Sequence, residues 1–86
     1  MISYKGGNGT SQEEAILIDG AKDEIEGVNA EYDWLEEKFG RQNKKWEMID
    51  QLLIDEEDRQ YDLLKIRLRN GDIKEFWFDI TEFFGE

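Results

Sequence analysis

The chain has 86 residues, 22 acidic against 11 basic, a formal charge of −11 at neutral pH, and neither histidine nor cysteine. The absences exclude the usual neutral-pH general base, thiol nucleophiles, disulfides, and zinc sites built on His or Cys. The charge repels duplex nucleic acid and anionic membranes at long range.

Residues 5–11, Lys-Gly-Gly-Asn-Gly-Thr-Ser, read as a flexible or tightly turned loop. Ser11 and Glu14 have capping-box spacing, so one helical turn is expected there. Ala15-Ile16-Leu17-Ile18 is too short for a helix and suits a buried strand. Asp19-Gly20-Ala21 then turns the chain.

Residues 28–39 predict a helix, with Val28, Tyr32, Leu35 and Phe39 on one apolar stripe. Asn29 is placed to cap its start. Lys38 favours the C-terminal end of the dipole, and Gly40 a left-handed stop. Trp34 falls well off the stripe. In residues 46–54, Trp46, Met48, Leu52 and Ile54 share one parity, which Asp50 breaks. The pattern predicts a strand with a bulge or two partly buried faces. Asp55-Glu56-Glu57-Asp58 connects it to the next strand.

Residues 61–80 predict a β-hairpin around Arg69-Asn70-Gly71. A two-residue Asn-Gly turn would set Lys65 opposite Phe76 and mix the faces. A three-residue loop with Gly71 left-handed sets Leu64 opposite Phe76 and Lys65 opposite Glu75. It gathers Leu64, Ile66, Leu68, Phe76, Phe78 and Ile80 on one side, and is the expected register. Thr81-Glu82-Phe83-Phe84-Gly85 predicts a final helical turn that tucks an aromatic pair into the core. The expected whole is one α+β domain over 1–86. It has a mainly antiparallel sheet of three to four strands and one helix (about 28–39) on one face. The order is strand, helix, three strands, helical turn.

Most candidate sites have a plain structural reading. The Gly-rich loop lacks the lysine of a phosphate-binding P-loop. Acid pairs such as Glu24/Glu26 and Glu31/Asp33 read as solvated or capping carboxylates. The 55–58 run lacks the alternating ligands and central glycine of a calcium loop. No cofactor or metal site is expected. Trp34 either covers the 15–18 strand or is an exposed anchor. The second hairpin face carries Tyr61, Leu63, Lys65, Arg67, Ile73, Glu75 and Trp77. Such a surface suits a protein partner or self-association, or stacks single-stranded nucleic acid.

Three stretches, Gly6-Gly7-Asn8-Gly9-Thr10-Ser11 with Ala15-Ile16-Leu17-Ile18, Glu26-Gly27-Val28-Asn29-Ala30-Glu31-Tyr32-Asp33-Trp34-Leu35 with Phe39-Gly40, and Phe78-Asp79-Ile80-Thr81-Glu82-Phe83-Phe84-Gly85, resemble a family of small, functionally uncharacterised bacterial proteins. The resemblance implies a bacterial or phage setting and a stand-alone domain, and no mechanism. No leader-like start and no apolar run near the roughly 18 residues of a membrane span is seen, so a cytoplasmic location is expected. The leading expectation is a non-enzymatic, acidic protein-interaction module of inhibitor or immunity type. Its partner surface would include Trp34, Tyr61, Leu63, Arg67 and Trp77. A single-strand nucleic-acid binder is the alternative, and an enzyme using carboxylates is the weakest reading.

Overall fold

The computed structural model describes residues 1–85. Its strands are β1 (Ser3–Gly6), β2 (Ile16–Asp19), β3 (Trp46–Asp55), β4 (Gln60–Leu68) and β5 (Ile73–Asp79), with one helix, α1 (Glu24–Phe39). The β4–β5 hairpin has the bulged register, Leu64 opposite Phe76 and Lys65 opposite Glu75. Gly71 takes φ 96°. The three-residue loop is closed by Leu68 N–H donating to Asp72 O (2.8 Å) and Gly71 N–H to Leu68 O (2.9 Å). Alternation then sends Asp62, Leu64, Ile66, Phe76 and Phe78 to one face, the inner one, where all five are buried.

β3 bulges between Met48 and Asp50. The extra residue resolves the broken parity. Before it, Trp46 and Met48 pair with Leu68 and Ile66 on the inner face; after it, Leu52 and Ile54 pair with Leu63 and Tyr61 on the outer face. One strand therefore feeds apolar side chains to both faces.

The sheet has five strands, not three or four, in the order β1-β2-β5-β4-β3. It is mixed, because β2 runs parallel to β5, with Ile16 beside Phe78 and Leu17 beside Asp79. The unexpected strand is β1, within a stretch read partly as loop. All four of its residues are exposed, so it carries no apolar alternation. It is held instead by pairing with β2, by a Lys5–Asp19 ion pair of 2.9 Å and by Tyr4 Oη donating to Ala30 O (2.7 Å). Ser11 does begin a turn, accepting from Glu14 N–H at its Oγ (3.2 Å).

α1 starts one turn earlier than expected. Asp23, not Asn29, is the N-cap, its side chain accepting from Glu26 N–H (2.9 Å). Gly40 stops the helix with φ 100° and ψ −167°, a positive φ outside the compact left-handed well. The buried side consists of Gly27, Ala30, Glu31 and Leu35, with Trp34 stacked on Phe76 (5.3 Å) and Phe78 (5.6 Å). That side is rotated about 100° from the Val28–Tyr32–Leu35–Phe39 stripe. The stripe overlaps it at Leu35 and flanks the core, Tyr32 meeting Trp46 (6.2 Å) and Phe39 meeting Phe76 (5.5 Å). The cause is close approach: small residues face the core so that the helix can lie against it. Phe83, buried in the final turn, fills the space beside Gly27. That turn is closed by Phe84 N–H donating to Ile80 O (3.0 Å).

Two glycines separate conformational from steric demands. A Cβ at Gly71 meets nothing within 4 Å, so Gly71→Ala costs only the left-handed penalty, about 1 kcal/mol. A Cβ at Gly27 collides with the Phe83 ring. Gly27→Ala therefore lowers stability by about 1–3 kcal/mol, although alanine is the better helix former. Urea-unfolding midpoints of the two variants check both values.

Candidate interaction surface

With α1 on the inner face, the outer face of the sheet is built by β3, β4 and β5 in register. One cross-strand row is Leu52–Leu63–Trp77; the next contains Ile54, Tyr61 and Asp79. A third row, Asp50–Lys65–Glu75, and a fourth, Glu47–Arg67–Ile73, are charged or mixed. Of the predicted partner residues, Tyr61, Leu63, Arg67 and Trp77 thus share one surface. Tyr61 is buried, Leu63 and Trp77 are half-buried and Arg67 is exposed. No helix or strand among the described residues lies on this face.

The apolar end of the face is ordered from within the chain. Tyr61 and Trp77 meet edge-to-face at 5.9 Å. Arg59 grips Asp79 through Nε (2.8 Å) and Nη2 (2.6 Å). Asp79 also accepts from Thr81 Oγ1 (2.7 Å). The Gly-rich loop is a structural partner here: Trp77 N–H donates to Gly9 O (2.7 Å). Farther along the loop, Gln12 Nε2 reaches Glu56 Oε1 in the β3–β4 turn (3.1 Å). The chain's own N-terminal segment therefore supplies part of the support for Trp77.

Trp34 does not belong to this surface. It lies on the other side of the sheet, against Phe76 and Phe78, with Lys38 Nζ over its ring at 5.3 Å. The sheet separates it from Tyr61, Leu63, Arg67 and Trp77. The cations of the outer face are already engaged, Arg67 with Glu47 at 2.7 Å and Lys65 with Glu75 at 3.7 Å.

The inner side holds an arrangement the residue pattern did not single out. Glu31, read as a solvated acid, is fully buried (0% exposed), and Asp62 beside it is 7% exposed. Apart from the Asp62 carboxyl, to which a protonated Glu31 can donate, neither Glu31 oxygen has a hydrogen-bond partner among the described residues. Burial, and then the neighbouring Asp62 carboxyl, push the Glu31 acid up to about 10. Asp62 is also raised, chiefly by burial; the hydrogen bond from Glu31 opposes this and the charge of Glu24 adds to it. At neutral pH Glu31 is a neutral acid beside a second carboxyl. Proximity and desolvation, not an ion pair, govern both groups. The signal for Asp62 was its parity with Leu64 and Ile66; for Glu31 it was its place one turn after Gly27 and one turn before Leu35. Among the described residues no group of three His, Cys, Asp or Glu could hold a metal ion.

Between the ordinary carboxyl range and about pH 10 the folded chain keeps a Glu31 proton that the unfolded chain has lost. Stability from this group is present in acid and falls as pH rises, by at most about 1.4 kcal/mol per pH unit. Asp62 contributes in the same direction. Glu31→Gln keeps the shape without the titration. It is expected to be about 1–3 kcal/mol more stable than the parent at pH 7–8 and to converge with it below about pH 4. Thermal unfolding across pH 4–9 reads this out, and parallel curves for the two proteins would contradict it.

No protein-family model, curated protein or solved structure matches the chain.

Proposed function

We propose that this is a small, acidic, non-enzymatic protein-interaction module of inhibitor or immunity type, acting in a bacterial cytoplasm, which engages a basic protein through the outer sheet face. The observation that carries the reading is the Leu52–Leu63–Trp77 row, with Leu52 49% exposed on a face that bears no helix or strand among the described residues. Large apolar side chains left open in a row beside charged rims are the pattern of an interface. A basic partner fits because the two central cations are already matched by Glu75 and Glu47. That leaves the excess negative charge of the molecule to steer association. The same pairing weakens the alternative of a single-strand nucleic-acid binder, since Lys65 and Arg67 are engaged where phosphates would need them free. Among the described residues no helix is long and apolar enough to cross a membrane.

The expected outcome is that Trp77→Ser and Leu63→Asp each weaken partner capture at least tenfold while lowering stability by only about 1–2 kcal/mol, because both side chains are half-exposed. Affinity capture from the source cell at low salt, with the two variants in parallel, tests this. An empty capture, or variants that lose several kcal/mol with binding intact, would sink the reading.

A further inference from the structure

The bases of this acidic chain are not scattered evenly. Residues 38–45 hold Lys38, Arg41, Lys44 and Lys45 without an acid. The end of β4 and its loop bring Arg67 and Arg69 to the same place. A depression of about 310 Å³ lies between the two segments, with Lys44, Lys45, Arg67 and Arg69 in its lining and Glu47 the acid among them.

Backbone bonds fix the frame that carries these cations. Arg69 N–H donates to Lys45 O (3.0 Å), which ties the hairpin loop to the loop before β3. Within that loop Asn43 takes φ 67°, its N–H donates to Trp46 O (2.6 Å), and Lys45 N–H donates to Arg41 O (2.8 Å). Trp46, buried, anchors the loop by donating its indole N–H to Gly40 O (2.8 Å). The amides of Asn43, Lys44, Lys45, Leu68 and Arg69 are all used within the chain, so a ligand here meets side chains.

Arg67 is matched by Glu47. Lys44, Lys45 and Arg69 are exposed and make no ion pair among the described residues. In a chain with 22 acids to 11 bases, three unpaired cations held on one bonded frame repel one another, and an anion between them relieves that repulsion.

We propose that this depression binds the phosphate group of a small phosphate monoester, with Lys44, Lys45 and Arg69 meeting its terminal oxygens and Leu68 its organic part. The inference goes beyond the protein-interaction reading and does not rest on it. The depression lies at the end of β4 away from Leu63, so its ligand leaves the Leu52–Leu63–Trp77 row to a protein. Three unpaired cations match a dianion with three terminal oxygens better than a carboxylate, which one of them would satisfy. Arg69 supplies a planar fork and the lysines supply point charge. A polyanion is disfavoured, because a strand leaving the depression must pass over a body whose charge is strongly negative. The volume suits a ligand at the small end of the usual range.

Phenyl phosphate and the full chain test the site at low ionic strength. Amide NMR titration is expected to move Lys44, Lys45 and Arg69 together, with saturation in the millimolar range or below. Phenyl sulfate, of the same shape with a single charge, is expected to bind about tenfold more weakly at about pH 8, and the difference to shrink below about pH 6 as the phosphate gains a proton. Arg69→Gln and Lys45→Gln are each expected to weaken phenyl phosphate about five- to tenfold, with thermal unfolding unchanged because both side chains are exposed and unpaired. Lys22→Gln removes the same charge at the opposite end of α1 and is expected to leave affinity within about twofold. A thymidine pentanucleotide without terminal phosphates is expected to bind more weakly than phenyl phosphate. Equal affinity for the sulfate and the phosphate at about pH 8, or Lys22→Gln weakening binding as much as Arg69→Gln, would overturn the proposal. Tighter binding of the pentanucleotide would overturn the assignment to a small ligand.

Discussion

The short parallel contact between β2 and β5 makes one sheet out of two antiparallel pieces. Only two register pairs define it, Ile16 with Phe78 and Leu17 with Asp79, extended by the Gly9–Trp77 backbone bond. On one side of the junction lies the β1–β2 hairpin, on the other the β5–β4–β3 meander. The junction is buried on the inner face: Ile16 and Phe78 are both almost without solvent contact, and Trp34 covers Phe78 from the helix. Parallel strands need such cover, because their crossover brings a helix onto the sheet. α1 leaves β2 and enters β3 at the far edge of the sheet, so it crosses the inner face, where Trp34 meets Phe76 and Phe78 of β5.

Much of the meander was legible in the residues, because a period of two and a single buried face leave one acceptable register. The bulged hairpin could be chosen over the tighter turn from Leu64, Ile66, Phe76 and Phe78 alone. The bulge in β3 was legible from the parity break at Asp50, although not its consequence, the division of one strand between two faces. β1 was not legible: Ser-Tyr-Lys-Gly has no apolar pattern, and its strand character comes from β2 and from Tyr4 reaching Ala30. The predicted stripe does reach the core through Leu35, Tyr32 and Phe39, but the most deeply buried side is centred farther round, on Gly27, Ala30 and Glu31. Apolar side chains marked the stripe, but Gly27 and Ala30 win the core because their small size admits Phe83 and the sheet. Counting hydrophobicity without volume misses that preference.

The candidate surface was legible in the same uneven way. Tyr61, Leu63, Arg67 and Trp77 follow from register, and they do share the outer face. Trp34 lies off the apolar stripe, so the residue pattern leaves both packing and an exposed anchor open; in the fold it packs against Phe76 and Phe78. Glu31 was invisible because an acid in a strongly acidic chain looks solvated. Only its three-dimensional neighbours show that it is confined. Composition describes the average environment of a residue type, whereas burial of one member is decided by the side of the helix on which it falls.

The bulge in β3 also bears on the life of the protein in a crowded solution. β3 is an end strand of ten residues with Ile49, Leu52 and Leu53 exposed, and such an edge is a template for strand-by-strand growth into aggregates. The irregularity between Met48 and Asp50 interrupts the evenly spaced backbone donors and acceptors that an incoming copy would need. Glu47, Asp50 and Asp55 add like-charge repulsion between two such edges. The feature that lets one strand serve two faces therefore also disfavours strand-by-strand growth along the longest free border of the sheet.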